Sequence, residues 1–139
     1  MAYCTQDDIQ KRIGSAELVA LADYDGDDAA DADAVAAAIA DACALMDSYL
    51  SVRFAVPVSP VPEVLKARAV DISVYLMRLR RDSATQDARA KHEDDVAWLK
   101  DVVGGMVALG IEPSSAEGDR APSVRYEGQS RIFGRNEPL

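Results

Sequence analysis

The feature that most constrains this chain is a pair of apolar helical stripes separated by a connection that cannot be helical. Ile39, Cys43, Met46 and Leu50 follow one another at spacings of 4, 3 and 4, which aligns them along one side of a 3.6-residue helix. Leu65, Ala69, Ile72, Leu76 and Leu79 continue the same rhythm on a second helix, with Lys66, Arg68, Asp71 and Arg78 mostly off it. Between them runs Arg53-Phe-Ala-Val-Pro-Val-Ser-Pro-Val-Pro62. Pro57 and Pro60 drive their predecessors out of the helical region, and Pro62 suits a first helical turn, where a missing N–H costs nothing. The first helix is therefore expected to stop near Val52 and the second to start at Pro62. Alanine dominates from Ala29 to Ala44, so close backbone approach must compensate for small side chains.

A further helix is expected from about Ala84 to Met106, with the stripe His92, Val96, Leu99, Val103 and Met106 and with Trp98 beside it. Upstream, Thr5 is placed to cap a short helix through Arg12 that carries Ile9 and Ile13. Gly14 is free to end it, and Ser15 is placed to cap a second short helix carrying Leu18 and Leu21. The fold class that follows is all-α: a small bundle of about three long and two short helices over residues 1–110, followed by an extended C-terminal arm over 111–139. That arm is rich in glycine and proline, yet Ser123-Val-Arg-Tyr-Glu alternates like a short strand. Ser130-Arg-Ile-Phe-Gly-Arg135 sets Ile132 and Phe133 between Arg131 and Arg135, a pattern suited to docking on a neighbouring chain.

With 139 residues the chain makes one domain with a core of its own. Cys4 and Cys43 stand too far apart in sequence for a metal-ligand pair, and Cys43 lies on the apolar stripe, so both are read as reduced and the compartment as intracellular. The opening Met-Ala-Tyr-Cys-Thr-Gln-Asp-Asp lacks a signal region, and no segment approaches a bilayer span, so a soluble, untargeted chain is expected.

Charge is distributed unevenly. The net charge of −9 is carried by residues 1–52; residues 53–108 sum to +1 and residues 109–139 to −1. Such a field gives no counterion-release term for gripping a phosphate backbone. This argues against reading the Gln6–Leu21 helix-glycine-helix as a DNA-reading helix-turn-helix, the alternative function along with a generic helical interaction module. Asp23-Tyr-Asp-Gly-Asp-Asp28 invites a calcium reading, but an EF-hand loop from Asp23 would need glycine sixth and glutamate twelfth, and Asp28 and Ala34 stand there. An acidic turn with Asp31 or Asp33 capping the next helix accounts for it, leaving at most a weak, non-specific cation site.

No Gly-rich phosphate loop, G-x-S-x-G, H-E-x-x-H or Cys-x-x-Cys is present, and the lone His92 has no nucleophile placed beside it in sequence. No catalytic residue, metal ligand or cofactor is expected, and the chain reads as a non-enzyme.

An ordered set of segments resembles the Mu-like tailed-phage connector family. The set comprises Ala2-Tyr-Cys-Thr-Gln-Asp-Asp-Ile, Glu17-Leu-Val-Ala-Leu-Ala-Asp23, Ile39-Ala-Asp-Ala, Met46-Asp-Ser-Tyr-Leu50, Arg53-Phe-Ala-Val-Pro-Val, Val61-Pro, Asp71-Ile-Ser-Val-Tyr-Leu76, Trp98-Leu and Arg131-Ile-Phe-Gly-Arg135. The chain departs from that pattern at Phe54, where tyrosine is common, and in its alanine- and aspartate-rich segment 23–44. The resemblance implies a largely α-helical head-completion or adaptor protein of the virion, assembled in the host bacterial cytoplasm. It implies a ring, commonly a dodecamer, between portal and tail, with DNA passing through. The implied partners are further copies of the chain, the portal protein and a tail or stopper protein, with no specific nucleic-acid binding and no membrane. Contacts are expected from the loop, through Arg53, Phe54 and Pro57, and from the arm, through Arg131, Ile132, Phe133 and Arg135.

Overall fold

The computed structural model describes residues 2–114. Within them lie five helices and no strand: α1 (Gln6–Ile13), α2 (Ser15–Ala22), α3 (Ala32–Leu50), α4 (Glu63–Arg80) and α5 (Gln86–Val103). The fold is the expected small all-α bundle of three long and two short helices. α3 packs most extensively on α4, α5 lies against both, and the α1–α2 corner closes the remaining side. Arg80 near the end of α4 reaches Asp41 at 2.6 Å and the Ala34 carbonyl on α3, so the two core helices run antiparallel.

Local chemistry sets the boundaries. Thr5 caps α1 in a reciprocal box: its hydroxyl accepts from the Asp8 N–H at 3.3 Å while the Asp8 carboxylate accepts from the Thr5 N–H at 2.9 Å. Gly14, at φ 86°, makes the sharp turn between α1 and α2, a backbone state that strains other residues. Ser15 is not the cap that the sequence suggests; Gly14 takes the cap position and Ser15 is already helical. Asp31 stands at the N-cap of α3 but makes no capping bond, because its carboxylate accepts from the Tyr24 N–H at 2.9 Å instead. Pro62 occupies the N-cap of α4, and Thr85 caps α5 by accepting from the Ala88 N–H at 3.2 Å.

The buried face of α3 is the expected one, with Val35, Ala38 and Ala42 joining Ile39, Cys43, Met46 and Leu50. The α4 stripe needs correction. Leu79 is 43% exposed, while Val70, Val74 and Met77 are buried, because α3, α5 and α1 cover α4 over a wider arc than one stripe. On α5, Leu99 is fully buried as expected, but Val102 and the charged Asp95 join it. The helix ends at Val103, so Met106 lies beyond it and is 82% exposed.

Candidate functional site

The connection from α3 to α4 is a shaped loop held from below. Its anchor comes from the coil before α1: Tyr3 is 3% exposed, and its hydroxyl donates to the Asp47 carboxylate on α3 while accepting from the Val58 N–H at 3.0 Å. Burial, and then the bond to Asp47, raise the Tyr3 phenol above its ordinary value and keep it a donor. The Tyr3 N–H in turn lies 3.3 Å from Cys43 Sγ. Phe54 and Val58 point inward, at 5% and 3% exposed, whereas Val52, Ala55, Val56, Pro57, Ser59 and Pro60 face outward. The alternation follows from chain path: Phe54 N–H still bonds the Leu50 carbonyl at 2.8 Å, extending the last turn of α3 and directing its ring into the core.

Arg53 links this loop to the segment after α5. The Arg53 guanidinium lies over Gly105, where an added Cβ would stand 2.6 Å from Nη1 and displace it, and the φ of 82° favours glycine at this position. The Arg53 carbonyl accepts from both the Ser114 N–H at 3.0 Å and the Ser114 hydroxyl at 3.3 Å. Leu109 is buried and Val107 and Ile111 pack on the core between these two contacts, so the first residues of the expected arm lie strapped against the loop.

Of the partner-contact residues read from the sequence, Pro57 is exposed and Arg53 is half-buried under Gly105. Phe54 is a core residue, so the outward apolar character of the loop comes from Val52 and Val56, which the sequence reading did not single out. Their signal was available only as the neighbours of an inward Phe54. Arg131, Ile132, Phe133 and Arg135 lie outside the described residues.

Because the Tyr3 hydroxyl satisfies a backbone donor and a carboxylate at once, Tyr3→Phe is expected to lower stability by about 1–3 kcal/mol and to loosen the loop. Denaturant unfolding reads the first effect, and faster exchange of the Val58 amide reads the second. An unchanged Val58 amide in the variant would remove the tyrosine from this role.

Two other clusters stand apart from the loop. Between α1, α4 and α5 lies a cleft of about 200 Å³ lined by Arg12, Asp71, Tyr75, Arg78, Lys91 and His92. Asp71 takes Arg12 at 3.4 Å and Lys91 at 3.2 Å, Glu17 takes Arg78, and Asp95, only 1% exposed, takes Arg68 at 2.5 Å. Burial raises the Asp95 carboxyl above its ordinary value despite the guanidinium. His92 stacks on Tyr75 with ring centroids 4.2 Å apart, and its buried Nδ1 has no hydrogen-bond partner among the described residues. Burial lowers its pKa against the pull of Asp95 and Glu93, so the neutral ring is the form that fits. No base–nucleophile pair is formed among the described residues of this cleft. Cys4 offers no alternative nucleophile, since burial pushes its thiol up to about 11, and burial raises Cys43 likewise.

The second cluster is the acidic turn, where carboxylate oxygens of Asp23, Asp25 and Asp27 come within 4.8 Å of one another. The turn's own backbone serves them: Asp23 accepts from Gly26 and Asp28 N–H at 2.7 and 3.2 Å, and Asp27 accepts from Ala29 N–H at 2.9 Å. Next to it the Arg81 guanidinium covers the Tyr24 ring at 4.2 Å. The α1–α2 corner also turns acidic groups inward, with Asp8 paired to Lys66 at 2.9 Å. That pairing, with the Thr5 bonds, holds the Asp8 carboxyl down to about 2. Among the described residues no helix is long and apolar enough to cross a membrane.

Comparison of the sequence with known proteins identifies its family. The family model described as Bacteriophage Mu, Gp36 matches residues 3–126. "Gene product J" of Escherichia phage Mu is 30% identical over 139 residues, covering 99% of this chain and 97% of that protein. "Mu-like prophage FluMu protein gp36" of Haemophilus influenzae (strain ATCC 51907 / DSM 11121 / KW20 / Rd) is 31% identical over 99 residues, covering 71% of this chain and 69% of the relative. The family match takes in the Tyr3 anchor, the Arg53–Pro62 loop and all five helices, and the chain therefore belongs to the bacteriophage Mu Gp36 family.

Proposed function

We propose that the chain is a structural head–tail connector of a Mu-like phage or prophage, a subunit of an oligomeric ring that joins portal to tail and lets DNA pass. Family membership supports the phage context. The single observation that carries the finer reading is the loop: its inward residues Phe54 and Val58 and the Tyr3 clamp hold it on the core, while Val56 and Pro57 are presented outward with no chemistry attached. Rigid apolar display at one end of a bundle suits subunit and portal contacts, where burying a few aliphatic side chains supplies affinity. The excess of acidic over basic residues in 1–52 suits a protein past which DNA slides without being held.

On this reading the protein is structural, not catalytic, needs no cofactor, and resides in the virion after assembly in the host cytoplasm. The DNA-reading alternative is disfavoured, because Asp8 and Glu17 of the α1–α2 corner are spent in ion pairs with α4 and leave that corner bonded to the bundle.

Light scattering on the chain alone, and then with the portal protein of the same genome, tests the proposal. A discrete complex carrying many copies per portal ring is expected. Val56→Asp with Pro57→Asp, both on the exposed crest of the loop, is expected to abolish it while leaving the helical circular-dichroism signal intact. Absence of any complex at micromolar concentrations across a range of salt would end the connector reading.

A further inference from the structure

The end of the bundle where α3 and α5 both stop carries apolar side chains that the described residues leave uncovered. Met106 is 82% exposed, Val52 64% and Val56 36%. Val52 and Met106 each adjoin in sequence a member of the Arg53–Gly105 contact, which joins the loop to the segment after α5 at this end of the bundle. The chain itself arrives at that point. From Gly105 it runs through Leu109 and Ile111 to Ser114, whose N–H and hydroxyl both bond the Arg53 carbonyl. Residues 115–139 thus set out from the edge of this surface, and their one pair of adjacent large apolar residues is Ile132-Phe133, between Arg131 and Arg135.

We propose that the Val52–Met106 surface is the seat of the chain's own closing segment, with Ile132 and Phe133 covering it intramolecularly. The charges agree: Asp101 on the last turn of α5 and Glu63 on the first turn of α4 are exposed at this end of the bundle, available to the flanking arginines. Length agrees as well. The 17 residues between Ser114 and Ile132 span at most about 60 Å, far more than a return to the starting point requires. A tether of that order gives an effective concentration in the millimolar range, which outcompetes a second copy at micromolar concentration. This seat goes beyond the connector reading and stands whether or not a portal is the partner.

Methyl-labelled methionine NMR on the full chain tests it without any partner. Met46 and Met77, at 0% and 1% exposed, report the core, and Met106 reports the seat. The Met106 methyl is expected upfield in the wild-type chain relative to a full-length Ile132→Ser, Phe133→Ser variant, through the ring current of Phe133. The difference should persist unchanged on dilution, with Met46 and Met77 unmoved. Identical Met106 signals in the two proteins overturn the proposal. A wild-type shift that fades on dilution overturns the intramolecular seat and assigns the surface to a second copy. Movement of Met46 or Met77 overturns it as well, because the segment would then bear on the core.

Discussion

Replacing Arg68 by alanine is expected to destabilise the bundle by about 3 kcal/mol at neutral pH, the low end of what breaking a buried ion pair costs. Asp95 is 1% exposed on the inner side of α5, and its nearest cation is the Arg68 guanidinium at 2.5 Å. Arg68 also lies 5.2 Å above the Trp98 ring, so its removal strips a cation–π contact and some stem packing. The low end applies because Arg68 is 31% exposed and Lys91 also acts on Asp95. The pH dependence has a definite sign. Burial already raises the Asp95 carboxyl in the folded state, and losing Arg68 raises it further. A group with a raised folded pKa contributes stability that is present below its unfolded value and lost as pH rises through the folded one. The variant's deficit should therefore shrink in mildly acidic buffer. Urea unfolding at both pH values checks this. Arg68→Leu with Asp95→Leu should recover most of the loss, since no charge is then left buried. A double variant as unstable as Arg68→Ala would show that packing, not the uncompensated carboxylate, sets the effect.

Phe54→Ala is expected to cost about 3–5 kcal/mol, the usual penalty for emptying a buried phenylalanine site. The ring is 5% exposed, and Arg53 lies over it at 5.8 Å. With the ring gone, Val58 and the Tyr3 hydroxyl remain beneath the loop. Pro57→Ala, on the exposed crest of the same loop, should stay within about 0.5 kcal/mol of wild type. The two variants separate two roles that a linear reading of Arg53-Phe54-Ala55-Val56-Pro57 merges. A Phe54→Ala protein that unfolds at the wild-type denaturant midpoint, yet fails to assemble, would make Phe54 a contact residue after all.

Elements were legible in the sequence wherever one local rule governed them. Thr5 caps α1, Pro62 precedes α4, and the 4-3-4 spacing from Ile39 to Leu50 faces the core, because capping chemistry, proline stereochemistry and helical periodicity act within a few residues. The lineage was legible too, through the order of segments that no single one of them specifies.

What only the tertiary structure decided is which neighbour covers each side chain. Periodicity placed Leu79 inside and left Arg68 and Asp71 as surface charges. Packing on several sides put Val70, Val74 and Met77 inside instead, and brought Arg68 onto an Asp95 that the α5 pattern gave no reason to bury. Asp31 looked like a cap until the Tyr24 N–H took its carboxylate. The loop shows the division most plainly. Its prolines announce a non-helical connection, but that Phe54 turns in while Val52 and Val56 turn out depends on Tyr3, 51 residues earlier, and on Gly105 admitting Arg53. Local sequence sets backbone preferences because those are short-range steric and hydrogen-bonding effects. Which face becomes the working surface is set by contacts between residues distant in the chain, and these exist only once the helices have packed.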